Sequence, residues 1–139
     1  LADTLEWLCA EFSAQHKIAC SQAVFCQEES LPHDVKVDLF RICQEALNNC
    51  IVYAQPKNVT IHLVQTETQV VLTISDDGIG FDQEMLDALL AATSLRERVD
   101  SLHGSFSIEN TKNKGTTLLV SFDLENGKPT PVLESASGN

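Results

Sequence analysis

Two short alternating segments, and the glycine-rich turn after them, constrain the fold of this chain more than any other feature. Apolar and polar residues alternate at 59–63 and again at 70–74, with a short polar connection at 66–68. Alternation of this kind predicts half-buried strands, and the short connection predicts that they pair as a hairpin. The second strand runs directly into Asp76-Asp77-Gly78-Ile79-Gly80-Phe81, so a turn with conformational freedom is expected at its end.

Helical periodicity flanks the hairpin. Apolar residues at three- and four-residue spacing predict one helix over residues 1–15 and a longer one after the break at Leu31-Pro32. Asp34 is the predicted N-cap of the longer helix, which is expected to end near Ala54, ahead of Pro56. The other expected elements are a strand at 17–25, a short helix at 94–102, and a strand pair at 106–109 and 116–124.

These elements together predict the fold class and the extent of the domain. Mixed strands backed by helices on one face amount to an α+β fold, a two-layer α/β sandwich. We expect one domain over residues 1–124, because a chain of 139 residues is long enough to bury a single core. Residues 125–139 are rich in Gly, Pro, Ser and Glu and are expected to form a disordered tail.

The charge balance excludes some classes of partner. Nine basic and 20 acidic residues give a formal net charge of -11, which repels nucleic-acid phosphates and anionic membranes. We therefore expect no nucleic-acid partner, and any anionic ligand would need local donors and a bound cation. The five cysteines, at positions 9, 20, 26, 43 and 50, have no paired spacing. Packing as small apolar side chains in a reducing cytosol is the expectation.

A carboxylate and two carboxamides on the longer helix form the first candidate site. Glu45 and Asn49 lie four residues apart and project from the same side, with Asn48 beside them. Such a pair can hold a divalent cation like Mg²⁺, with water and phosphate oxygens completing its shell, or the carboxylate can polarise a water or a hydroxyl. The alternative interpretation is an ordinary solvated helix face, because these residue types are common on surfaces.

The turn after the second strand is the next candidate site. Gly78 and Gly80 permit a backbone bend and the close approach of a ligand. The carboxylate of Asp76, at the strand end, can accept a hydrogen bond from an exocyclic amine such as that of adenine. A plain Asp-Gly turn is the alternative. The pattern differs from the dinucleotide-binding fingerprint, because the third glycine and the βαβ crossover are missing.

A glycine and two hydroxyl residues enter the last strand as Lys114-Gly115-Thr116-Thr117. The glycine can offer a backbone N–H, and the threonines can offer O–H donors, to a phosphate. A common hairpin ending is the alternative interpretation of this segment.

These motifs, in this order, resemble one known family. The run LFRICQEALNN at 39–49 resembles the N box of sensor histidine kinases, in particular the subfamily that works with LuxR-type (NarL-like) response regulators. Residues 76–81 are similar to the G1 box of that family, and LRERV followed by LHG at 95–104 is similar to the helix after its ATP lid. Gly115-Thr116 resembles its closing GT, and the resemblance extends over residues 1–124.

The resemblance implies a Bergerat-type ATP-binding sandwich, a fold shared with gyrase and heat-shock chaperone ATPase domains. Glu45 would assist phosphoryl transfer and, with Asn49, would ligate Mg²⁺, while Asp76 would receive the adenine amine. The γ-phosphate would pass to a histidine on a separate dimerisation domain of a cytoplasmic homodimer, and then to the response regulator. The residues implied to contact ATP are Asn48, Asn49, Tyr53, Asp76, Gly78, Gly80, Phe81, Leu95, Gly115 and Thr116.

One stretch departs from the family pattern. Members usually carry a second glycine box that leads to Gly-Met before the RER helix, whereas this chain has Leu90-Ala91-Ala92-Thr93-Ser94-Leu95. Glycines there let the lid fold over the triphosphate, so alanine and serine are expected to restrict it. Residues 84–92 are also good helix formers. Val52 and Tyr53 replace the basic residue and histidine often found after the N box, although the Tyr53 hydroxyl can still donate.

Two functions therefore stand. The first is a working kinase module with an unusual lid, and the second is a degenerate nucleotide-binding module that regulates by binding. The first is favoured because the N-box and G1-box residues are present, and it is favoured over an anti-sigma-type kinase because of the N box and the RER helix. The chain is not expected to phosphorylate itself, because none of its histidines lies in a phosphoacceptor setting: His16, His33, His62 and His103.

Overall fold

The computed structural model of the chain describes residues 1–49, 56–79, 83–84, 87–88, 94–111, 115–125 and 128–129. Its helices are α1 (Ala2–His16), a 3-10 turn (Glu28–Ser30), α2 (His33–Asn49) and α3 (Leu95–Ser101). Its strands are β1 (Ala19–Phe25), β2 (Asn58–Gln65), β3 (Gln69–Asp76), β4 (Ser105–Thr111), β5 (Gly115–Glu125) and β6 (Lys128–Pro129).

The strands form one mixed sheet in the order β1-β2-β3-β5-β4, and β6 pairs with β5. Strand β1 runs parallel to β2, whereas the other neighbours are antiparallel. The predicted hairpin is β2 and β3, and Thr66 closes it by donating its backbone N–H to the carbonyl of Gln69 at 2.8 Å. The expected final strand pair is β4 and β5, which run antiparallel.

The core lies between one face of this sheet and the helices. Every second residue of the central strands is buried, which places one set of apolar side chains on the inner face: Val59, Ile61, Leu63, Val70, Leu72, Ile74, Leu118, Val120 and Phe122. The helices contribute to the same core through Leu5, Leu8, Cys9, Phe12, Leu39, Ile42, Cys43, Leu47, Leu95 and Val99. The predicted α+β two-layer arrangement is therefore confirmed.

The structure gives a physical reason for two of the boundaries that differ from the expectations. Helix α2 begins at His33, and the backbone N–H of Lys36 donates to the carbonyl of Pro32, so Asp34 lies inside the first turn and is not the N-cap. In the first turn its negative charge still interacts favourably with the helix dipole. Strand β1 begins at Ala19 because Lys17 ends α1 in the left-handed conformation, at φ 56. A residue in that conformation cannot continue into an extended strand.

Several expectations fall on residues at the limits of the described part. The predicted end of α2 near Ala54 lies outside the described residues. The disordered tail stays a prediction: β5 continues to Glu125 and Lys128–Pro129 pairs with it, while 126–127 and 130–139 lie outside. No helix in the described part of the chain is long and apolar enough to cross a membrane.

The cysteines mostly pack as small apolar side chains. Cys9 and Cys43 are buried in the core, and burial raises the pKa of the Cys43 thiol far above its usual value. No disulfide joins the cysteines within the described residues. Cys50 lies outside them.

Candidate functional site

The carboxyl end of β3 leads into the predicted adenine site. The Asp76 side chain turns back on its own loop, where its Oδ1 accepts a hydrogen bond from the backbone N–H of Gly78 at 2.8 Å. This Asx-type turn helps to hold the Asp-Gly segment in shape. Gly78 is buried and Asp76 is half-buried.

Strand β5 passes close beside that turn. Thr116 pairs with Asp76 across the two strands and is 8% exposed. Gly115 has φ +102, and a Cβ there would lie 1.9 Å from the Asp76 carbonyl oxygen, so only glycine fits. The sheet register therefore brings together four of the predicted site residues, which we term the strand-end cluster: Asp76, Gly78, Gly115 and Thr116.

Asp77 anchors this region, a role that the sequence analysis missed. Its Oδ1 accepts from the backbone N–H groups of Lys57 and Asn58 at 2.8 Å each, and its Oδ2 accepts from Asn58 Nδ2 at 2.8 Å. Hydrogen bonds from Asn58 lower the pKa of Asp77, and the one from the Asn58 side chain has the largest effect. Asp77 thus ties the end of β3 to the start of β2. The two consecutive aspartates at 76–77 are the sequence feature that could have indicated this role.

A second group of contacts joins α2 to α3. Ser94 donates its hydroxyl hydrogen to Glu45 Oε1, and Arg98 Nε donates to the same oxygen at 3.3 Å. Arg98 also approaches Asp38, with 3.8 Å between its terminal nitrogen and Asp38 Oδ1. Asp38 and Glu45 are two turns apart on one face of α2, so Arg98 spans both. We term Asp38, Glu45, Ser94 and Arg98 the helix-pair cluster.

Burial shapes the electrostatics of the helix-pair cluster. Desolvation raises the Asp38 pKa, and the nearby Arg98 charge opposes that rise. The other oxygen of Glu45, Oε2, is buried and has no hydrogen-bond partner among the described residues. A buried carboxylate oxygen without a donor costs free energy, roughly 1–3 kcal/mol. Oε2 is therefore chemically suited to bind a cation or to accept a hydrogen bond.

The remaining residues of the predicted site are distributed as follows. Asn49 is half-buried and Asn48 is exposed, both in the last described turn of α2. Leu95 is 8% exposed and belongs to the core, so its predicted contact with nucleotide stays a prediction. Tyr53, Gly80 and Phe81 lie outside the described residues.

Most of the stretch that departs from the family pattern, 90–93, also lies outside them. Before it, residues 83–84 and 87–88 have helical backbone, and Gln83 Nε2 donates to Asp87 Oδ1 at 2.8 Å, four residues on. Residues 84, 87 and 88 match the expected helical tendency of 84–92 where the structure describes it.

The histidines occupy different elements of the fold. His16 lies in the last turn of α1, His33 begins α2, His62 is on β2, and His103 follows α3 with φ 55. No three His, Cys, Asp or Glu side chains in the described part of the chain are grouped to hold a metal ion. A cation at Glu45 would therefore depend on carboxamide, water and phosphate oxygens as well.

Comparison with known proteins identifies the family. Residues 34–126 match the HATPase_c family model, described as histidine kinase-, DNA gyrase B-, and HSP90-like ATPase. The chain belongs to this family. The match begins at the start of α2 and ends just beyond β5, so it contains both clusters. It confirms the resemblance that the N-box and G1-box motifs predicted.

Similar HATPase_c proteins are sensor kinases. The chain is 34% identical over 97 residues to the histidine-protein kinase/phosphatase DegS of Brevibacillus brevis, which is 69% of this chain and 25% of DegS. It is 35% identical over 98 residues to the sensor histidine kinase ComP of Bacillus subtilis, which is 68% of this chain and 13% of ComP. The chain thus spans a quarter or less of these two relatives.

A solved structure shows the same fold. The histidine kinase domain of the Erythrobacter litoralis EL346 blue-light activated histidine kinase superposes with a TM-score of 0.60 at 15% identity. The superposition covers 81% of this chain and 56% of that domain.

Proposed function

We propose that this HATPase_c domain binds Mg·ATP and is the catalytic domain of a sensor histidine kinase. The observation that carries the proposal is the strand-end cluster. It holds a carboxylate, Asp76, at the end of a buried strand, flanked by a buried glycine and by the buried Thr116. A carboxylate in this setting accepts a hydrogen bond from an exocyclic amine, which is how an adenine ring would be recognised.

The helix-pair cluster fits the phosphate end of the nucleotide. Glu45 Oε2 is a buried carboxylate oxygen without a donor in the described residues, and Asn49 lies one turn further along α2. Carboxylate and carboxamide oxygens are the hard ligands that Mg²⁺ accepts. We infer that Glu45 and Asn49 would hold the ion, which supplies charge neutralisation on the phosphates when bound.

The chain's own residues act mainly by positioning. Asp76 would orient the adenine end, Asn48 and Asn49 lie at the last described turn of α2, and Glu45 would assist phosphoryl transfer. Tyr53, Gly80, Phe81 and Leu95 remain predicted contacts. Catalysis of phosphoryl transfer relies largely on such positioning and on electrostatic stabilisation.

The whole protein would act as a homodimer. The phosphoryl group would go from ATP to a histidine on a separate dimerisation domain, and from there to a LuxR/NarL-type response regulator. The support is similarity to sensor kinases, which include UhpB of Salmonella typhimurium, 37% identical over 95 residues. A cytoplasmic location agrees with cysteines that no disulfide joins in the described part.

The degenerate binding module is not favoured. The relatives in the comparison carry kinase names. The sequence also has the residues on which we base the kinase function: Glu45, Asn49, Asp76, Gly78 and Gly80. The lid without glycines is then a variation in a working kinase, and its effect would be on nucleotide affinity.

Calorimetric titration of the chain with Mg²⁺ and a non-hydrolysable ATP analogue tests the proposal. We expect micromolar binding that Asp76→Asn weakens at least about 100-fold, because the amide would present a donor to the adenine amine. Asp100→Asn is the matched control, since it makes the same change at an exposed position of α3 and should leave binding unaltered. No binding by the unaltered chain at millimolar nucleotide would refute the proposal.

A further inference from the structure

Ser94 has its hydroxyl in an unexpected place. It occupies the N-cap position of α3, where a serine normally accepts a hydrogen bond from a backbone N–H of the first turn. Here its side chain makes no cap hydrogen bond and donates instead to Glu45 on α2. Only the Ser94 backbone carbonyl acts within α3, where it accepts from the Arg98 N–H at 3.0 Å. The hydroxyl therefore bonds to the neighbouring helix instead of capping its own.

The Glu45 carboxylate is held asymmetrically as a result. Ser94 and Arg98 both donate to Oε1, from two points one turn apart on α3. Oε2 is buried and receives no hydrogen bond from the described residues. Two donors on one oxygen define the direction of the carboxylate plane more closely than one donor does, and they leave the second oxygen available.

The serine itself is a departure from the family pattern. The Ser94-Leu95 pair before RER stands where members usually have Gly-Met, and glycine has no hydroxyl to donate. The contact to Glu45 thus depends on a hydroxyl that glycine would lack. Ser94 belongs to the stretch that lacks the second glycine box, and its hydroxyl bonds to the N-box carboxylate.

We propose that Ser94 is a positioning residue for Glu45. Its hydroxyl, together with Arg98, fixes Oε1 so that Oε2 is the oxygen that acts in phosphoryl transfer. The inference rests on the proposed kinase function for the role of Glu45, whereas the contact itself is independent of that function. Two experiments separate these parts.

The first experiment tests the contact without ligand. A double-mutant cycle with Ser94→Ala and Glu45→Ala compares thermal unfolding of the chain in all four combinations. We expect Ser94→Ala to lower the Tm by about 2–5 °C in the unaltered background and to have little effect in the Glu45→Ala background. Equal shifts in the two backgrounds would mean that the hydroxyl and the carboxylate do not interact, and would overturn the inference.

The second experiment measures phosphoryl transfer by the full-length protein. Ser94→Ala should lower kcat about 3- to 10-fold with KM for ATP within about twofold, because the carboxylate loses orientation while the adenine site is unchanged. Ser94→Thr keeps the hydroxyl and should restore kcat. Ser101→Ala is the matched control, since that hydroxyl donates within α3 to the Glu97 carbonyl.

The outcomes separate the two proposals. An unchanged kcat in Ser94→Ala, or a loss that Ser94→Thr does not restore, would contradict the positioning role. If the unaltered protein transfers no phosphoryl group at all, the kinase function fails and the role fails with it. The stability cycle would still report whether Ser94 and Glu45 interact.

Discussion

The two ends of the proposed pocket are built by different means. The strand-end cluster is held by the backbone: the pairing of β3 with β5 sets Thr116 beside Asp76, and Gly115 lies against the Asp76 carbonyl. The helix-pair cluster is held by side chains that reach between α2 and α3. Sheet pairing leaves few ways for the first cluster to rearrange, whereas rotamer changes alone can rearrange the second.

In the proposed function, this difference separates recognition of the nucleotide from phosphoryl transfer. A rigid strand end suits adenine, which must be recognised in the same way in every cycle. A carboxylate that side-chain donors orient suits a step in which charge moves and a histidine must approach. We therefore expect substitutions in the strand-end cluster to reduce stability strongly, and substitutions in the helix-pair cluster to reduce it weakly.

Gly115→Ala is the strongest test of the comparison. The new Cβ would overlap the Asp76 carbonyl oxygen, and alanine would have to keep φ +102 or shift the start of β5. We expect a loss of about 2–4 kcal/mol in the free energy of unfolding, measured by urea denaturation. Ser105→Ala, at the exposed start of β4, is the control. A loss below about 0.5 kcal/mol would show that the strand end is not rigid.

Asp77→Ala addresses how the strand end is anchored. It removes the carboxylate that accepts two hydrogen bonds from backbone N–H groups and one from the Asn58 side chain. All three lie on the exposed surface, so we expect a loss of about 1 kcal/mol in the free energy of unfolding. The folded-state pKa of Asp77 is lowered. Its contribution is therefore present above the ordinary aspartate pKa of about 4 and is lost as the pH falls through the folded value.

The measurement is urea denaturation of the unaltered chain and of Asp77→Ala across that pH window. The difference between them should be constant from about pH 7 to pH 5 and should shrink toward pH 3. A difference that stays constant down to pH 3 would mean that the carboxylate charge contributes nothing to the anchor.

The sheet was largely predictable from sequence because its signals are local. The alternation at 59–63 and 70–74 needs only the two faces of a strand, and the observed pairing follows it. The prediction that Asp34 is the N-cap was wrong because the Leu31-Pro32 break fits a helix that starts at His33 as well as one that starts after Asp34. Proline at 32 supplies the carbonyl for the first helical bond, so the helix starts at His33, one residue before Asp34.

The site was predictable in part for a related reason. Asp76, Gly78 and Thr116 were named from motifs, and the sheet register brings them together. The helix-pair contacts join residues about 50 apart in the chain, and spacing along one helix cannot reveal them. The sequence named Ser94 because serine lacks the conformational freedom of glycine, whereas in the structure its hydroxyl donates to Glu45.

Arg98→Met should have the smallest effect on stability. Its ion pairs are 3.3 and 3.8 Å long and partly exposed, so they contribute about 0.5–1 kcal/mol, while methionine keeps the packing of the aliphatic stem. Urea denaturation at low and at about 1 M salt checks this, because screening should remove most of the difference. Arg41→Met is the control, since among the described residues the Arg41 side chain bonds within α2, to Gln44. A salt-independent loss as large as that of Gly115→Ala would mean that side chains hold the helix pair as firmly as backbone pairing holds the strand end, and the contrast between the two clusters would fail.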